Sequence, residues 1–250
     1  MRSESKRQIR PRRLCLHLLG VALLVALAPS QARGQNSALI PAPFQEARHE
    51  GFLEIAALGG IDCLLMGDSI IDWWRRAGLA VYEENFGSLN CANFGIAGDR
   101  TQGVLWRMAN GELSGYQPKL MMLMIGTNNL SGRRSTPNTP EEIAMGIATI
   151  VATFRTTFPE ARVLLLGIFP RGAEATDQFR EPIRRINEII ADLDDGDYVR
   201  YLDIGDSFLE ADGSISVDVM GDGLHPTARG YEIWAAAMMP MFTEMLRGRE

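Results

Sequence analysis

Ile61-Asp62-Cys63-Leu64-Leu65-Met66-Gly67-Asp68-Ser69-Ile70-Ile71 is the stretch on which the reading of this chain turns. Residues 61–66 form a mostly apolar run of strand length, and it stops at a glycine followed by two small polar residues. A run without polar alternation belongs to a strand covered on both faces, the condition of a strand inside a parallel sheet. Residues 119–125 and 161–168 repeat the pattern, 199–204 gives a fifth run, and 88–94 a weaker second one interrupted by polar residues. Helical spacing lies between them. Thr139 is a good N-cap, Pro140 suits the first helical position and Glu142 closes a capping box, after which Ile143, Ile147, Val151, Phe154 and Phe158 keep helical period. Ile183, Ile186, Ile190 and Leu193 do the same, as do Tyr231, Trp234, Met238, Phe242 and Met245. Strand and helix in alternation predict a single α/β domain over 59–250, a parallel sheet with helices on both faces.

The remaining sequence limits the functional classes. With 250 residues, 46% apolar and 22% charged, the chain has the composition of an ordinary globular domain. A formal charge of −6 leaves no basic footprint for nucleic acid. Residues 1–32 read as a cleaved export signal: Arg2, Lys6, Arg7, Arg10, Arg12 and Arg13 precede a short apolar run, and Ser30-Gln31-Ala32 offers a cleavage site. The apolar run falls short of the about 20 residues that span a bilayer. The expected location is therefore outside the cytoplasm, periplasmic or secreted, with 33–58 as a lead-in segment and no stable membrane insertion. Removing the signal, with its six basic and one acidic side chains, takes the formal charge from −6 to −11. Three cysteines are too few for a disulfide scaffold, and Cys15 leaves with the signal. Cys63 and Cys91 lie in strand-like runs and are expected as buried free thiols, a bridge between them being the alternative in an oxidising compartment.

The chemically interesting residues fall where strands end. Gly67-Asp68-Ser69 closes the first strand, Gly95-Ile96-Ala97-Gly98-Asp99 follows the second, Gly126-Thr127-Asn128-Asn129 the third, and Asp222-Gly223-Leu224-His225 precedes the last helix. Ligands of open α/β sheets bind outside the carboxyl ends of the strands, where these turns converge. Together they hold the parts of an acyl-transfer site. Ser69 supplies a hydroxyl that needs a base to become a nucleophile. His225 is the candidate base, and Asp222 can hold its ring in the tautomer that leaves Nε2 free. The backbone N–H groups of Ser69 and Gly98 and the side-chain amide of Asn128 are candidate oxyanion donors. Ile70, Thr127 and Leu224 adjoin these groups and are expected to wall a small acyl pocket, which favours acetyl. No cofactor or metal is expected: neither a zinc-binding cluster nor a nucleotide fingerprint is present.

In their order, these four blocks resemble the SGNH (GDSL-type) hydrolase superfamily, and within it the catalytic subunits of brain-type platelet-activating factor acetylhydrolase. The likeness extends to Val104-Leu105-Trp106-Arg107, Asn110-Gly111-Glu112-Leu113 and Gly167-Ile168-Phe169-Pro170-Arg171-Gly172. It implies a flavodoxin-like three-layer α/β/α fold with five parallel strands and a metal-free serine esterase. By the same likeness Ser69 is the nucleophile, Gly98 and Asn128 serve the oxyanion, Asp222 and His225 complete a triad, and the protein is a homodimer. The chain departs from the pattern at Ile70, where the motif has leucine, at Ala97, where the acetylhydrolases often have glycine, and in its export signal.

Each residue also has a plainer reading. Gly-Asp-Ser recurs at 205–207, where no Gly or Asn block follows, so Ser207 is expected as a loop or cap residue. Asp222 can be a turn former, and Asn128 can stabilise its turn. His49, Asn129 and Asp68 are expected in structural roles, and Trp73, Trp74 and Trp106 as core aromatics more than as a substrate surface. The expected activity is hydrolysis of short-acyl, chiefly acetyl, oxygen esters of carbohydrates or other polar alcohols. An acetyl-phospholipid hydrolase or lysophospholipase is the alternative within the enzyme class, and a catalytically silent glycan-binding protein the alternative outside it.

Overall fold

The computed structural model describes residues 35–131 and 136–248, so the export signal expected over 1–32 lies outside the described residues. The apolar runs form five strands, β1 (Cys63–Gly67), β2 (Cys91–Gly95), β3 (Leu120–Met124), β4 (Arg162–Leu166) and β5 (Val199–Leu202). All pair in parallel, in the order β2-β1-β3-β4-β5. The order changes direction between β1 and β3, which opens a crevice at their carboxyl ends. The second strand starts later than its sequence suggests, because Asn90 takes a left-handed φ of 51° and ends the turn before it. The fifth stops at Leu202, where the Asp203 carboxylate accepts from the Gly205 N–H at 2.8 Å and turns the chain away.

Among the described residues, seven α-helices flank the sheet: α1 (Glu46–Leu58), α2 (Ser69–Asp72), α3 (Leu79–Phe86), α4 (Thr101–Arg107), α5 (Pro140–Thr157), α6 (Arg180–Ala191) and α7 (Ala228–Arg247). Successive strand residues point to opposite faces, so each strand feeds two cores. Leu64 and Met66 of β1 pack with Phe52 of α1, Ile147 of α5 and Ile186 of α6. Cys63 and Leu65 pack on the other face with Phe86 of α3 and Trp234 and Phe242 of α7. The capping box of α5 is made as the sequence predicts: Thr139 Oγ1 accepts from Glu142 N at 3.2 Å, and Glu142 Oε2 from Thr139 N at 3.1 Å. None of the described helices is long and apolar enough to cross a membrane.

The expectation for the cysteines is overturned. Cys63 and Cys91 open β1 and β2, face each other in register with Cα atoms 4.4 Å apart, and are joined by a disulfide. Parallel neighbours at the same level point their side chains to the same face, and it is the register, invisible in either run alone, that makes the bond.

A second feature of the interior is ionic. Arg107 is wholly buried, with Nε and Nη2 donating to Asp99 Oδ2 at 3.1 and 3.0 Å and Nη1 donating to Glu112. His49 sits behind it, with Nδ1 3.3 Å from Glu112 Oε2 and Nε2 3.1 Å from the Asn110 carbonyl. The bond to Glu112 holds the His49 pKa above its ordinary value. Arg107 thus faces two carboxylates, and His49, hydrogen-bonded to one of them, is structural, as expected. Removing one member of such a cluster leaves uncompensated charge in the core. Arg107→Met is expected to lower the unfolding free energy by about 3–5 kcal/mol in urea titrations. Replacing Cys63 and Cys91 with alanine should lower it by about 2–4 kcal/mol. That loss should leave the hydrolytic turnover expected at Ser69 unchanged at 25 °C, because the bond closes the opposite end of the sheet from that residue.

Candidate active site

The crevice is built on glycines at strand ends. Gly67 closes β1, and a Cβ there would strike the Met124 carbonyl oxygen and the Ile71 side chain. Its register partner Gly95 closes β2, where a Cβ would meet the backbone of Ile71 and Asp72. The two let α2 begin directly on the sheet edge, with Ser69 as its first residue. Asp68 is the N-cap, its Oδ1 accepting from the Ile70 N–H at 3.0 Å. Burial pushes the Asp68 carboxyl up to about 7. Asp68 thus caps the helix that Ser69 begins.

Ser69 is only 6% exposed, and its Oγ lies 2.9 Å from His225 Nε2. His225 Nδ1 lies 2.7 Å from Asp222 Oδ2. The other oxygen of Asp222 accepts from the backbone N–H groups of Leu224 and His225, at 3.0 and 2.8 Å. Partial burial pushes the Asp222 pKa up, but the backbone and ring N–H groups of His225 outweigh it and hold the carboxyl below its ordinary value. An ionised Asp222 fixes the Nδ1–H tautomer, so Nε2 is free to accept from the Ser69 hydroxyl. The loop is pinned to the body by the Gly172 N–H, which donates to the Gly223 carbonyl at 2.7 Å.

Gly98 and Asn128 follow the two strands that flank β1. Gly98 follows β2 with a φ of 84°, and Asn128 lies in the 3-10 turn Thr127–Asn129 that follows β3. The Asn128 amide donates to the Asp99 carbonyl at 2.9 Å, so it is held beside Gly98 with one N–H still to place. The Arg107 cluster anchors Asp99 from below. Asn129 turns inward instead, donating to Thr101 Oγ1, Gln102 Oε1 and Asn138 Oδ1. Ile70 and Thr127 are buried and Leu224 is half-buried against the same core as Ile70. Ser207 is exposed in the 3-10 turn Gly205–Phe208.

Two contacts at this crevice are absent from the sequence reading. Trp74 is core and Trp106 meets His49 edge-on, but Trp73 stacks on His225, ring centroids 4.0 Å apart and planes 19° from parallel. The signal was its place four residues after Ser69, one helical turn on. Arg171 reaches the Thr127 carbonyl and Oγ1, both at 3.3 Å, and lies over the Phe179 ring. Among the described residues, no group of three or more His, Cys, Asp or Glu side chains is placed to hold a metal ion.

Comparison with known proteins gives the arrangement a family. Residues 65–233 match the model of the GDSL-like Lipase/Acylhydrolase family. Platelet-activating factor acetylhydrolase IB subunit alpha2 of Rattus norvegicus is 39% identical over 171 residues, which cover 68% of this chain and 71% of that protein. Subunit alpha1 of the same animal is 33% identical over 222 residues, covering 85% and 92%. Among solved structures, an acetylxylan esterase from Geobacillus stearothermophilus superposes with a TM-score of 0.59 at 16% identity, covering 76% of this chain and 98% of that one. That likeness is one of fold. The flavodoxin-like strand order, the strand-end glycines and a family match over most of the domain agree, and the chain belongs to the GDSL-like lipase/acylhydrolase family, as a carboxylic ester hydrolase.

Proposed function

We propose that the protein is an exported serine esterase that removes a short acyl group, chiefly acetyl, from oxygen esters of carbohydrates or other polar alcohols. The observation that carries the reading is the continuous line from Asp222 through His225 to Ser69, with both bonds below 3 Å. Ser69 Oγ attacks the ester carbonyl while His225 Nε2 takes its proton, and Asp222 stabilises the imidazolium that forms. The backbone N–H groups of Ser69 and Gly98 and the free N–H of the Asn128 amide receive the oxyanion. His225 then protonates the departing alcohol. Water, deprotonated by the same nitrogen, releases the acid from Ser69.

The acetyl preference is supported by the bulk of Ile70 and Leu224, which adjoin Ser69 and His225 in the chain and share one core cluster, and by the acetylhydrolase names of the curated relatives. Export is supported by the Cys63–Cys91 disulfide, because such bonds persist in oxidising compartments. The polar alcohol is the part of the reading that leans on export, with the acetylxylan esterase as a precedent on this fold. The names of the curated relatives favour a second reading in which the alcohol is a phospholipid.

Hydrolysis of p-nitrophenyl acetate, butyrate and octanoate by residues 33–250 tests the reading. Acetate should be preferred, Ser69→Ala should abolish turnover and Ser207→Ala should leave it intact. Asn128→Ala should lower kcat about 10²–10³-fold. Release of acetate from an acetylated xylo-oligosaccharide, against an sn-2 acetyl phospholipid, separates the two alcohols. A wild-type protein that is inert and whose Ser69 resists an organophosphate would leave the silent glycan-binding reading in its place.

A further inference from the structure

Trp73 lies in the 3-10 turn Trp73–Arg75 that continues α2, so the nucleophile and this indole stand one turn apart on a single short helical unit. Its ring is parallel to the His225 imidazole at 4.0 Å, while its Nε1 is buried with no hydrogen-bond partner among the described residues. An unpartnered indole N–H has an energetic cost, so the position is explained by what the face of the ring does, not by its polar edge.

His225 needs such a support. Its loop is open to solvent, the Asp222 side chain being 57% exposed against 17% for His225. Every bond from Asp222 to His225 and Leu224 arises within three residues of the histidine. Those bonds fix the ring relative to its own loop and not relative to Ser69. The indole is a reference on the other wall of the crevice, carried by the same helix as the nucleophile. Unlike the Ser69 hydroxyl, it is unchanged when the proton moves. The imidazole also becomes a cation as Ser69 attacks, and the π face beneath it attracts a cation at this distance more than a neutral ring. The other cation on that indole is the exposed Arg76, 5.9 Å from the ring centroid.

We propose that Trp73 is a positioning residue for the acyl transfer, an aromatic wall that holds His225 Nε2 on Ser69 and stabilises the imidazolium of the transition state. The proposal rests on the Ser69–His225–Asp222 reading above. It assigns the task to the aromatic face alone. Phenylalanine should therefore substitute for tryptophan, and an aliphatic residue of comparable bulk should not.

Steady-state hydrolysis of p-nitrophenyl acetate by the wild type, Trp73→Phe, Trp73→Leu and Ser69→Ala tests it, with the rate of Ser69 labelling by a p-nitrophenyl phosphonate and the thermal midpoint measured in parallel. Trp73→Leu should lose about tenfold in kcat with KM within about twofold, and should be labelled correspondingly more slowly. Trp73→Phe should stay within about threefold of wild type in both. Should Trp73→Leu not fold, Trp73→Met takes its place. Wild-type kcat in the folded aliphatic variant overturns the proposal, as does a Phe variant as impaired as the Leu variant, or a loss that appears in KM alone. Active wild type with inactive Ser69→Ala and any of those results sinks this inference while the esterase reading stands. A wild type that is neither active nor labelled sinks both.

Discussion

The absence of two side chains, at Gly67 and Gly95, is the constraint on which the rest of this molecule depends. The pair closes neighbouring strands in register, and each leaves the space into which the backbone of α2 is drawn. A methyl group at either position would push the helix off the sheet edge. Ser69 would then leave the crevice, and with it the wall that carries Trp73. Ser69 is therefore placed by strand packing and a capped helix start, both of which are rigid, and not by a loop.

The two sides of the crevice are held by different physics. The Gly98 and Asn128 side stands on the buried cluster of Asp99, Arg107, Glu112 and His49, whose ionic groups are costly to desolvate and for that reason hard to displace once paired. Asp99 transmits that rigidity through its own backbone: its carbonyl receives the Asn128 amide, and its neighbour is Gly98. The His225 side is built from local bonds on a solvent-exposed loop. Asp222 gathers Leu224 and His225 around itself, and the loop is fastened to the segment after β4 by the Gly172–Gly223 bond. Electrostatic stabilisation of an oxyanion requires donors that do not reorganise, whereas a proton shuttle needs only a defined ring orientation.

The disulfide belongs to neither side. It joins the amino ends of β1 and β2, a full strand length from Ser69, and holds the edge strand of the sheet to its neighbour. Edge strands are where a sheet opens first, and β2 carries Gly98 at its exit. A covalent tie at its far end keeps the strand in register while leaving the crevice free of cross-links.

Much of this was legible along the chain, because period and punctuation are local. Apolar runs, one of them interrupted by polar residues, marked five strands, Thr139 and Glu142 announced α5, and the blocks at strand ends and before the last helix gave Ser69, Gly98, Asn128, Asp222 and His225 as candidates. The reading fell short wherever two distant segments had to be aligned. Cys63 and Cys91 looked like separate buried thiols because strand register is decided by the packing of both faces. The pairing of Asp99, Arg107, Glu112 and His49 went unread because it arises only when α1 and α4 close on the sheet. Trp73 looked like core because helical spacing says which residues share a face, but not what that face meets. The sequence by itself thus determined the kinds of element and the chemistry available at their ends. Tertiary structure alone decided which of those groups stand within a hydrogen bond or a ring contact of one another, since such contacts depend on distances that no local pattern encodes.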